Sequence, residues 1–544
     1  MTVRWMRSRS TSVGSGTSSR FTSGGGRGAQ GAPQGRFRAA IEAALPKERF
    51  GDHLTILSGT GQNIVGLAIF VVASLATNVL ISRALGAAAL GVVTLATQIA
   101  FVGGAAARFG MDMAAVRRVA IDVGRGEPGL ARPVVVRAVA ISAVASAAVA
   151  LAVFVATSPL AEGMGSAPLV FRAAALALPF VALCQVYLGG TRGLKIMRHT
   201  LFIYWAGQPV AWILLTVAGL AVSKSAGVSV VAYAGSWILA TLAAWFVWER
   251  ETAGFAPLPA GPHEVRELLK YGAPRAPAAL LAQLLFWTDY FVLSFFVTPA
   301  QLGVYAAAVR VAQALVLFLI AVNYMFSPFV ADLYARGERD RLDGLYKALT
   351  RWVVAGTIPI LLLLLVVPGP VLQVFGGGFQ SGTTPLRILL IGQSVNVATG
   401  SVGFILIMVG RTGWDLTVYL NSFVLDLALA FILAPILGAT GAAIAQTTTL
   451  VVSNGLRLYL VWRLVHIQPF NRHYVRLAIP AGTAAVTMVA VHLALSHVWW
   501  PVDLVATGIA GGLVYGAVLL IAGLTPTERG ALTKLLRRPR SPTA

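Results

Sequence analysis

The sequence has a single cysteine, Cys184, and few charged residues. One cysteine cannot form a disulfide within the chain, so cysteine usage does not indicate whether the protein lies in an oxidising or a reducing compartment. Charged residues occupy 11% of positions, against about 25% in soluble domains, whereas 57% are hydrophobic and the mean hydropathy is +0.77. This composition excludes an ordinary soluble domain and predicts an integral membrane protein.

Motifs for metal or nucleotide chemistry are also missing. The seven histidines form no HExxH-type spacing, and no GxxxxGK[ST] sequence occurs. We therefore expect no metal centre, no cofactor and no direct use of ATP. Catalytic carboxylates are scarce as well, because Glu162 is the one acid in the predicted outer loops. These absences argue against an enzyme such as a membrane glycosyltransferase or polysaccharide polymerase.

Long apolar stretches follow one another along most of the chain. About 20 apolar residues span a bilayer as a helix, and we identify fourteen such stretches, which predicts an all-α polytopic membrane protein. Their approximate bounds are 61–82, 88–107, 138–157, 168–189, 201–222, 227–248, 276–297, 302–326, 353–374, 386–409, 414–436, 441–462, 477–496 and 501–523.

The positive charge is distributed unevenly between the two sides of these spans. The chain has 42 Lys and Arg against 20 Asp and Glu, a net charge of +22. Nearly all of the basic residues fall in the N-terminal tail, the even-numbered loops and the C-terminal tail. Four lie at outer ends or in outer loops: Arg83, Arg172, Lys224 and Arg387. This asymmetry predicts that both termini are cytoplasmic, and it explains the basic composition without nucleic acid.

The spans fall into two groups of six that resemble each other weakly. Residues 80–99 align with residues 292–311 at a shift of 212, with identities that include Gly91/Gly303 and Leu90/Leu302. A shift of six spans gives both halves the same membrane orientation, related by a pseudo-twofold axis along the membrane normal. We therefore predict a disordered basic tail (1–50), an N-terminal lobe (51–265), a C-terminal lobe (266–465) and a final part with two further helices and a basic tail (466–544).

Five stretches together resemble the polysaccharide/oligosaccharide flippases of the multidrug/oligosaccharidyl-lipid/polysaccharide exporter superfamily. They are RALGAAALGVVTL (83–95), ARFGMDMAAVRRVA (107–120), ELLKYGAPRAPAALLAQLLFWTDYFVLSFFVTPAQLGVYAAAVRVAQAL (267–315), VFGGGFQSGTTPLRILLIGQ (374–393) and LGATGAAIAQ (437–446). The resemblance implies two six-helix lobes plus two C-terminal helices.

The same resemblance implies an activity. The activity is the flipping of a polyprenyl-diphosphate-linked oligosaccharide from the cytoplasmic to the outer leaflet during cell-surface polysaccharide biosynthesis. From the two related lobes we expect it to proceed by alternating access. We expect membrane lipids, a coupling H⁺ or Na⁺, and a polysaccharide polymerase or ligase as partners, in the plasma (inner) membrane. The alternative is a cation-coupled multidrug or small-molecule exporter of the same superfamily, although such exporters usually have twelve spans.

Two ionisable residues stand out inside the predicted seventh and eighth spans. Asp289 lies in LLFWTDYFVLSFF, and Arg310 lies about 12 Å inside the eighth span, at a similar estimated depth. An ionisable side chain inside a membrane is costly, so a function is the first hypothesis. Either the two form an ion pair, or Arg310 binds the substrate diphosphate through its planar guanidinium while Asp289 holds it or takes up a coupling ion.

Two further residues complete the predicted site. Asp426, near the middle of the eleventh span, is either a coupling-ion ligand or a protonated group that hydrogen-bonds a neighbouring helix. Arg83, at the outer end of the first span, either extends to lipid headgroups or lines the cavity. The candidate substrate site is therefore Arg310, Asp289, Arg83 and Asp426.

Overall fold

The computed structural model describes residues 50–256, 258, 264–273 and 276–524. The predicted disordered tail (1–50), except for its last residue, and the predicted basic C-terminal tail beyond residue 524 lie outside these ranges. The regular elements in the described residues are all helices. The α-helices are α1 (Phe50–Ala107), α2 (Met111–Gly124), α3 (Ala131–Val155), α4 (Thr157–Gly163), α5 (Leu169–Gly193), α6 (Gln208–Val222), α7 (Ala226–Thr252), α8 (Glu264–Gly272), α9 (Ala276–Leu293), α10 (Pro299–Gln313), α11 (Leu317–Ala335), α12 (Arg339–Val366), α13 (Pro368–Gln373), α14 (Thr383–Thr399), α15 (Val402–Met408), α16 (Thr412–Leu437), α17 (Ala439–Val465), α18 (Ala478–Leu495) and α19 (Trp500–Val518).

Short helical segments of other types join some of these elements. They are the 3₁₀ segments Pro128–Leu130, Ala314–Val316, Gly377–Gly382 and Arg472–Leu477, and the π-helical segments Thr200–Gly207 and Leu519–Gly523. The predicted all-α fold is confirmed for the described residues.

Helix α1 is interrupted near its middle. A straight helix of its 58 residues would extend roughly 87 Å, far more than the ~30 Å hydrocarbon core. Gly86, at φ 85° and ψ 178°, breaks it, and this backbone conformation is one that only glycine adopts readily. The break falls between the first two predicted spans, so one continuous element supplies both.

Ten helices in the described ranges are long and apolar enough to cross a membrane. The count becomes eleven if Gly377–Thr399 and Val402–Met408, which meet at a 45° bend, form one span. The chain is therefore a multi-pass membrane protein, and the count of fourteen spans stays a prediction.

The helices pack as two bundles and a C-terminal pair. In the first bundle α5 contacts α1, α2, α3 and α7; in the second α17 contacts α14, α16 and α9. Helices α18 and α19 pack against each other and against α12. Helix α1 joins the bundles, because it contacts α9, α10 and α11.

The bundles approach most closely where α1 and α10 cross at Gly91 and Gly303. A Cβ on Gly91 would collide with the Pro299 carbonyl oxygen, and a Cβ on Gly303 would collide with that of Ala87. Under the 212-residue shift Gly91 corresponds to Gly303 and Ala87 to Pro299, so the contact is reciprocal. Equivalent residues that touch each other lie near a twofold axis, which agrees with the predicted repeat. Gly86 corresponds to Thr298, where α10 begins with Thr298 as its N-cap.

Candidate substrate and ion site

Asp289 lies in α9 and is 1% exposed. Its Oδ2 atom accepts a hydrogen bond from the hydroxyl group of Tyr305 on α10. Its Oδ1 atom is buried and has no hydrogen-bond partner of good geometry among the residues that the structure describes. The carboxyl group is therefore only partly satisfied, and an unsatisfied charged group in a low-dielectric interior is costly.

Asp426, on α16, is completely buried beside this group. Neither of its carboxylate oxygens has a hydrogen bond of good geometry within the described ranges. The Thr449 hydroxyl group of α17 is the polar group next to it, and it too lacks such a bond. Asp426 lies within electrostatic range of Asp289, and Tyr305 lies within range of both.

The two carboxylates thus form one cluster, which we call the acid pair (Asp289 and Asp426). Three of its four oxygen atoms lack a hydrogen bond of good geometry in the described part of the chain. Two negative charges within electrostatic range of each other repel in an apolar interior, and a proton or a small cation bound by either carboxylate relieves the repulsion. Oxygen ligands of this kind suit H⁺ or Na⁺ and are too few for a closed structural metal centre.

Arg310 lies on α10 at the junction of the two bundles. Its guanidinium carbon lies 5.0 Å from the centre of the Trp287 ring, a cation–π contact. Tyr290 of the second bundle and Tyr233 of the first lie within its electrostatic range. Arg310 forms no ion pair and donates no hydrogen bond to any residue that the structure describes. It is therefore a partly buried cation whose donors are open to a ligand.

The ion pair between Asp289 and Arg310, one of the two alternatives from the sequence, is not formed in this structure. Helix α9 ends at Leu293 and α10 begins at Pro299, whereas the predicted bounds were 297 and 302. Asp289 is thus four residues from the end of its helix and Arg310 eleven from the start of its own, a depth difference of roughly 10 Å. Tyr305 lies near the depth of Asp289, and Tyr305 rather than Arg310 is the partner of Asp289.

Arg83 joins the two bundles on the side where α1 and α10 cross. Its Nε and Nη2 atoms donate hydrogen bonds to the carbonyl oxygens of Val374 (2.7 Å) and Gln373 (3.1 Å), at the end of α13. Its guanidinium carbon also lies 5.8 Å from the Trp500 ring centre. The side chain is exposed, and it contacts neither Arg310 nor the acid pair, so the structure separates it from the other three candidates.

The sequence did not single out Tyr305, Trp287 or Thr449. Each is an uncharged residue in an apolar span, so composition offers no signal for it. Tyr305 could have been found from the repeat, because its equivalent in the first half is Val93 and a change from valine to a hydroxyl-bearing residue stands out. Thr449 becomes recognisable only when α16 and α17 are packed together.

Comparison with known proteins gives matches to transporters and flippases. Residues 63–218 match the MatE family. "Probable flippase AglR" from Haloferax volcanii is 26% identical over 254 residues, which cover 45% of this chain and 52% of that protein. "Probable low-salt glycan biosynthesis flippase Agl15" from the same organism is 26% identical and covers 37% of this chain and 43% of that protein. The matched region thus spans about half the length of these relatives or less.

Solved structures extend the similarity to most of the chain. A lipid II flippase, MurJ, in an inward closed conformation gives a TM-score of 0.63 at 14% identity and covers 84% of this chain and 97% of its own. An inward-facing multidrug resistance transporter of the MATE family and MOP superfamily gives 0.60 at 14% identity and covers 76% and 98%. At these identities the structures establish the fold. With the family match and the relatives, they confirm the resemblance of this chain to the multidrug/oligosaccharidyl-lipid/polysaccharide exporter superfamily and its flippases.

Proposed function

We propose that the protein flips a lipid-linked oligosaccharide, carried on a polyprenyl diphosphate, from the cytoplasmic to the outer leaflet. The observation that carries this proposal is Arg310, a guanidinium at the junction of two bundles with its donors free. A phosphate group accepts two parallel hydrogen bonds from such a fork, and the guanidinium stays charged in an apolar site. The two Haloferax volcanii relatives are named as a flippase and a glycan biosynthesis flippase, and one similar structure is a lipid II flippase; these names support a lipid that carries a glycan as the substrate.

The orientation follows from the basic residues. Both termini and the even-numbered loops are on the cytoplasmic side, and the membrane is the plasma (inner) membrane. In this orientation the crossing at Gly91 and Gly303 lies near the outer side, together with the Arg83 contacts. The described conformation then has its outer side closed, so that substrate is admitted from the cytoplasm.

Alternating access supplies the mechanism. The two lobes (51–265 and 266–465) rock about the axis through the Gly91–Gly303 crossing, and the diphosphate leaves Arg310 when the outer side opens. Arg83 releases the carbonyl groups of Val374 and Gln373 in that state. The prenyl chain remains in lipid throughout, and no covalent bond is made or broken, so the protein acts as a transporter rather than an enzyme.

The acid pair couples this motion to an ion gradient. Binding of H⁺ or Na⁺ between Asp289 and Asp426 neutralises charge on α9 and α16, and Tyr305 connects that charge to α10, which also carries Arg310. Ion binding and diphosphate binding therefore act on the same helix. A polysaccharide polymerase or ligase on the outer side would take the flipped product.

A flipping assay in liposomes tests the proposal. Purified protein is reconstituted with a fluorescent polyprenyl-diphosphate oligosaccharide, and transfer between leaflets is compared for wild type, Arg310→Ala, Asp289→Asn and the double variant. We expect Arg310→Ala to lose transport by about 30-fold or more, the worth of a charge-assisted hydrogen bond of ~2 kcal/mol. Since Asp289 and Arg310 do not pair, the double variant should not recover.

Arg387→Ala is the matched control, because it removes an exposed basic residue from α14 and should leave transport unchanged. Recovery in the double variant would mean that the two residues form a structural ion pair in another state. If wild type moves no lipid-linked sugar but exports organic cations while H⁺ or Na⁺ moves inward down its own gradient, the exporter function replaces the flippase function.

A further inference from the structure

A second group of arginines lies at one end of the first bundle, away from the acid pair and Arg310. Arg108 follows the end of α1, and Arg192 lies in the last turn of α5. Helix α2 packs across this end, because a Cβ on Gly189 would collide with the backbone of Asp112 and one on Gly193 with Val116 and Val119. This packing places Arg192 one turn beyond Asp112, whose other neighbour is Arg108.

The two arginines share one acidic neighbour. Arg108 forms a long contact with Asp112, 3.4 Å between Nη1 and Oδ2, and both side chains are largely buried, at 16% and 13% exposure. Asp112, Arg108, Tyr204 and Cys184 are the groups within electrostatic range of Arg192. Asp112 is thus the one carboxylate among them, and two guanidinium groups facing one carboxylate leave a positive charge uncompensated.

Each arginine also has a buried donor without a partner. The Nε atom of Arg108 and the Nη2 atom of Arg192 have no hydrogen-bond partner of good geometry in the described ranges, although Nε of Arg192 donates to the Leu188 carbonyl oxygen at 3.3 Å. Neighbouring arginines on α2 differ, because Arg118 pairs with Asp122 and Glu267 and Arg117 lies 4.7 Å from the Tyr271 ring centre. Unused buried donors on a positive group fit an anion with several oxygen acceptors.

Aromatic residues connect this group with Arg310. Tyr204, beside Arg192, lies 5.8 Å from Trp237 between ring centres, and Trp237 lies 6.1 Å from Tyr233. Tyr233 is within electrostatic range of Arg310. Aromatic side chains, among them the buried Trp237 and Tyr233, therefore lie between the two cationic groups.

We propose that Arg108 and Arg192 form a first binding site for the substrate diphosphate at the cytoplasmic end of the first bundle, from which it passes to Arg310. This inference rests on the proposed function, which supplies the direction of movement and the diphosphate. The site itself binds a phosphate-bearing anion through the two guanidinium groups. A phospholipid headgroup offers the same chemistry, so the test separates the two sources.

Binding of inorganic pyrophosphate to the purified protein in nanodiscs of neutral lipid tests the site by isothermal titration. The Arg310→Gln background removes the deep site. In that background we expect pyrophosphate still to bind, and Arg192→Gln or Arg108→Gln to weaken binding by at least about tenfold. Arg125→Gln, an exposed arginine at the end of α2, is the control and should bind as its background does.

Unchanged binding in both glutamine variants overturns the inference. So does complete displacement of pyrophosphate by phosphatidylglycerol in the nanodisc, because the site would then hold a lipid headgroup. Should the glutamine variants not fold, Arg192→Lys keeps the charge and loses the planar fork, and an affinity equal to that of its background would also contradict the site. If wild type binds pyrophosphate through these arginines but flips no lipid-linked sugar, the proposed function is contradicted while the anion site is still supported.

Discussion

Residues 77–98 of α1 and residues 289–310 of α9 and α10 are equivalent under the 212-residue shift, yet they carry different chemistry. Thr77 stands where the second half has Asp289, and Gln98 stands where it has Arg310. Thr77 satisfies itself by donating to the Ala73 carbonyl oxygen of its own helix at 2.8 Å. Asp289 depends on another helix instead, because its Oδ2 atom accepts a hydrogen bond from Tyr305 of α10 and its Oδ1 atom has no partner of good geometry in the described ranges.

The difference teaches where the two halves are free to diverge. At the crossing both halves keep glycine, Gly91 and Gly303, because the backbones touch there. One turn and more away from the crossing, side chains face different neighbours and the second half acquires both charges. The halves therefore share the close backbone contact at the crossing, whereas the acid pair and Arg310 belong to the second half.

Exchanging the equivalent residues Thr77 and Asp289 should have the largest effect on stability. Thr77→Asp should destabilise the protein by about 3–5 kcal/mol, because a buried carboxylate there has Val93 where Asp289 has Tyr305 and remains unpaired. Asp289→Thr should cost much less and should remove the dependence of flipping on an ion gradient. Thermal unfolding in detergent and flipping with and without a gradient measure the two effects. Equal destabilisation by both exchanges would mean that the halves offer the same environment.

Removing the hydroxyl group that is specific to the second half should have the next largest effect. Tyr305→Phe leaves Asp289 without its hydrogen bond, and the loss of a hydrogen bond to a charged group costs about 1.5–3 kcal/mol. Tyr515→Phe is the control, because that hydroxyl donates to a neutral acceptor, the Ala355 carbonyl oxygen, at 2.7 Å. Its cost should be about 1 kcal/mol. Calorimetric unfolding compares them, and a smaller effect at Tyr305 would contradict the assigned role of the acid pair.

Substitutions at the crossing test the part in which the halves agree. Gly91→Val and Gly303→Val should each destabilise the described conformation by about 1–3 kcal/mol, since added methyl groups force the two helices apart. Gly512→Val on α19, where a Cβ has nothing within 4 Å, tests the effect of the residue change itself. Accessibility of a cysteine placed at residue 300 to a water-soluble maleimide reports opening of the bundles at the end where α1 and α10 cross. Two variants with clearly different effects would argue against a reciprocal contact.

The smallest effect is expected at Arg83, whose equivalent is the exposed Phe295. Arg83→Phe copies that residue and removes the hydrogen bonds to the carbonyl groups of Val374 and Gln373. An exposed contact of this kind is worth roughly 0.5–1.5 kcal/mol. Unfolding and flipping rates measure the change, with Arg172→Phe as a control at another exposed arginine. A complete loss of flipping with normal stability would place Arg83 in the substrate path.

Much of the fold was predictable because a membrane span is recognised from the hydrophobicity of a short stretch of sequence. Apolar stretches of span length and the bias of basic residues need no knowledge of packing. The 212-residue repeat aligned Gly91 with Gly303, but only the packed helices show that the two glycines touch. The depth of Arg310 was estimated less well, because helix ends shift by a few residues and each residue adds about 1.5 Å. That error was enough to suggest an ion pair between Asp289 and Arg310 where Tyr305 is the partner.

By itself, the sequence determined that this chain lies in a membrane, that its halves are related, and that Asp289, Arg310 and Asp426 are unusual for apolar spans. The cost of burying charge is a property of each residue and its immediate neighbours, so it is visible without a fold. The tertiary structure decided which groups meet: Asp289 with Asp426 and Tyr305, Arg310 with Trp287, and Arg108 with Arg192 around Asp112. Those partners come from different helices, and only the packing of helices against one another fixes the few ångströms over which hydrogen bonds and charge pairs act.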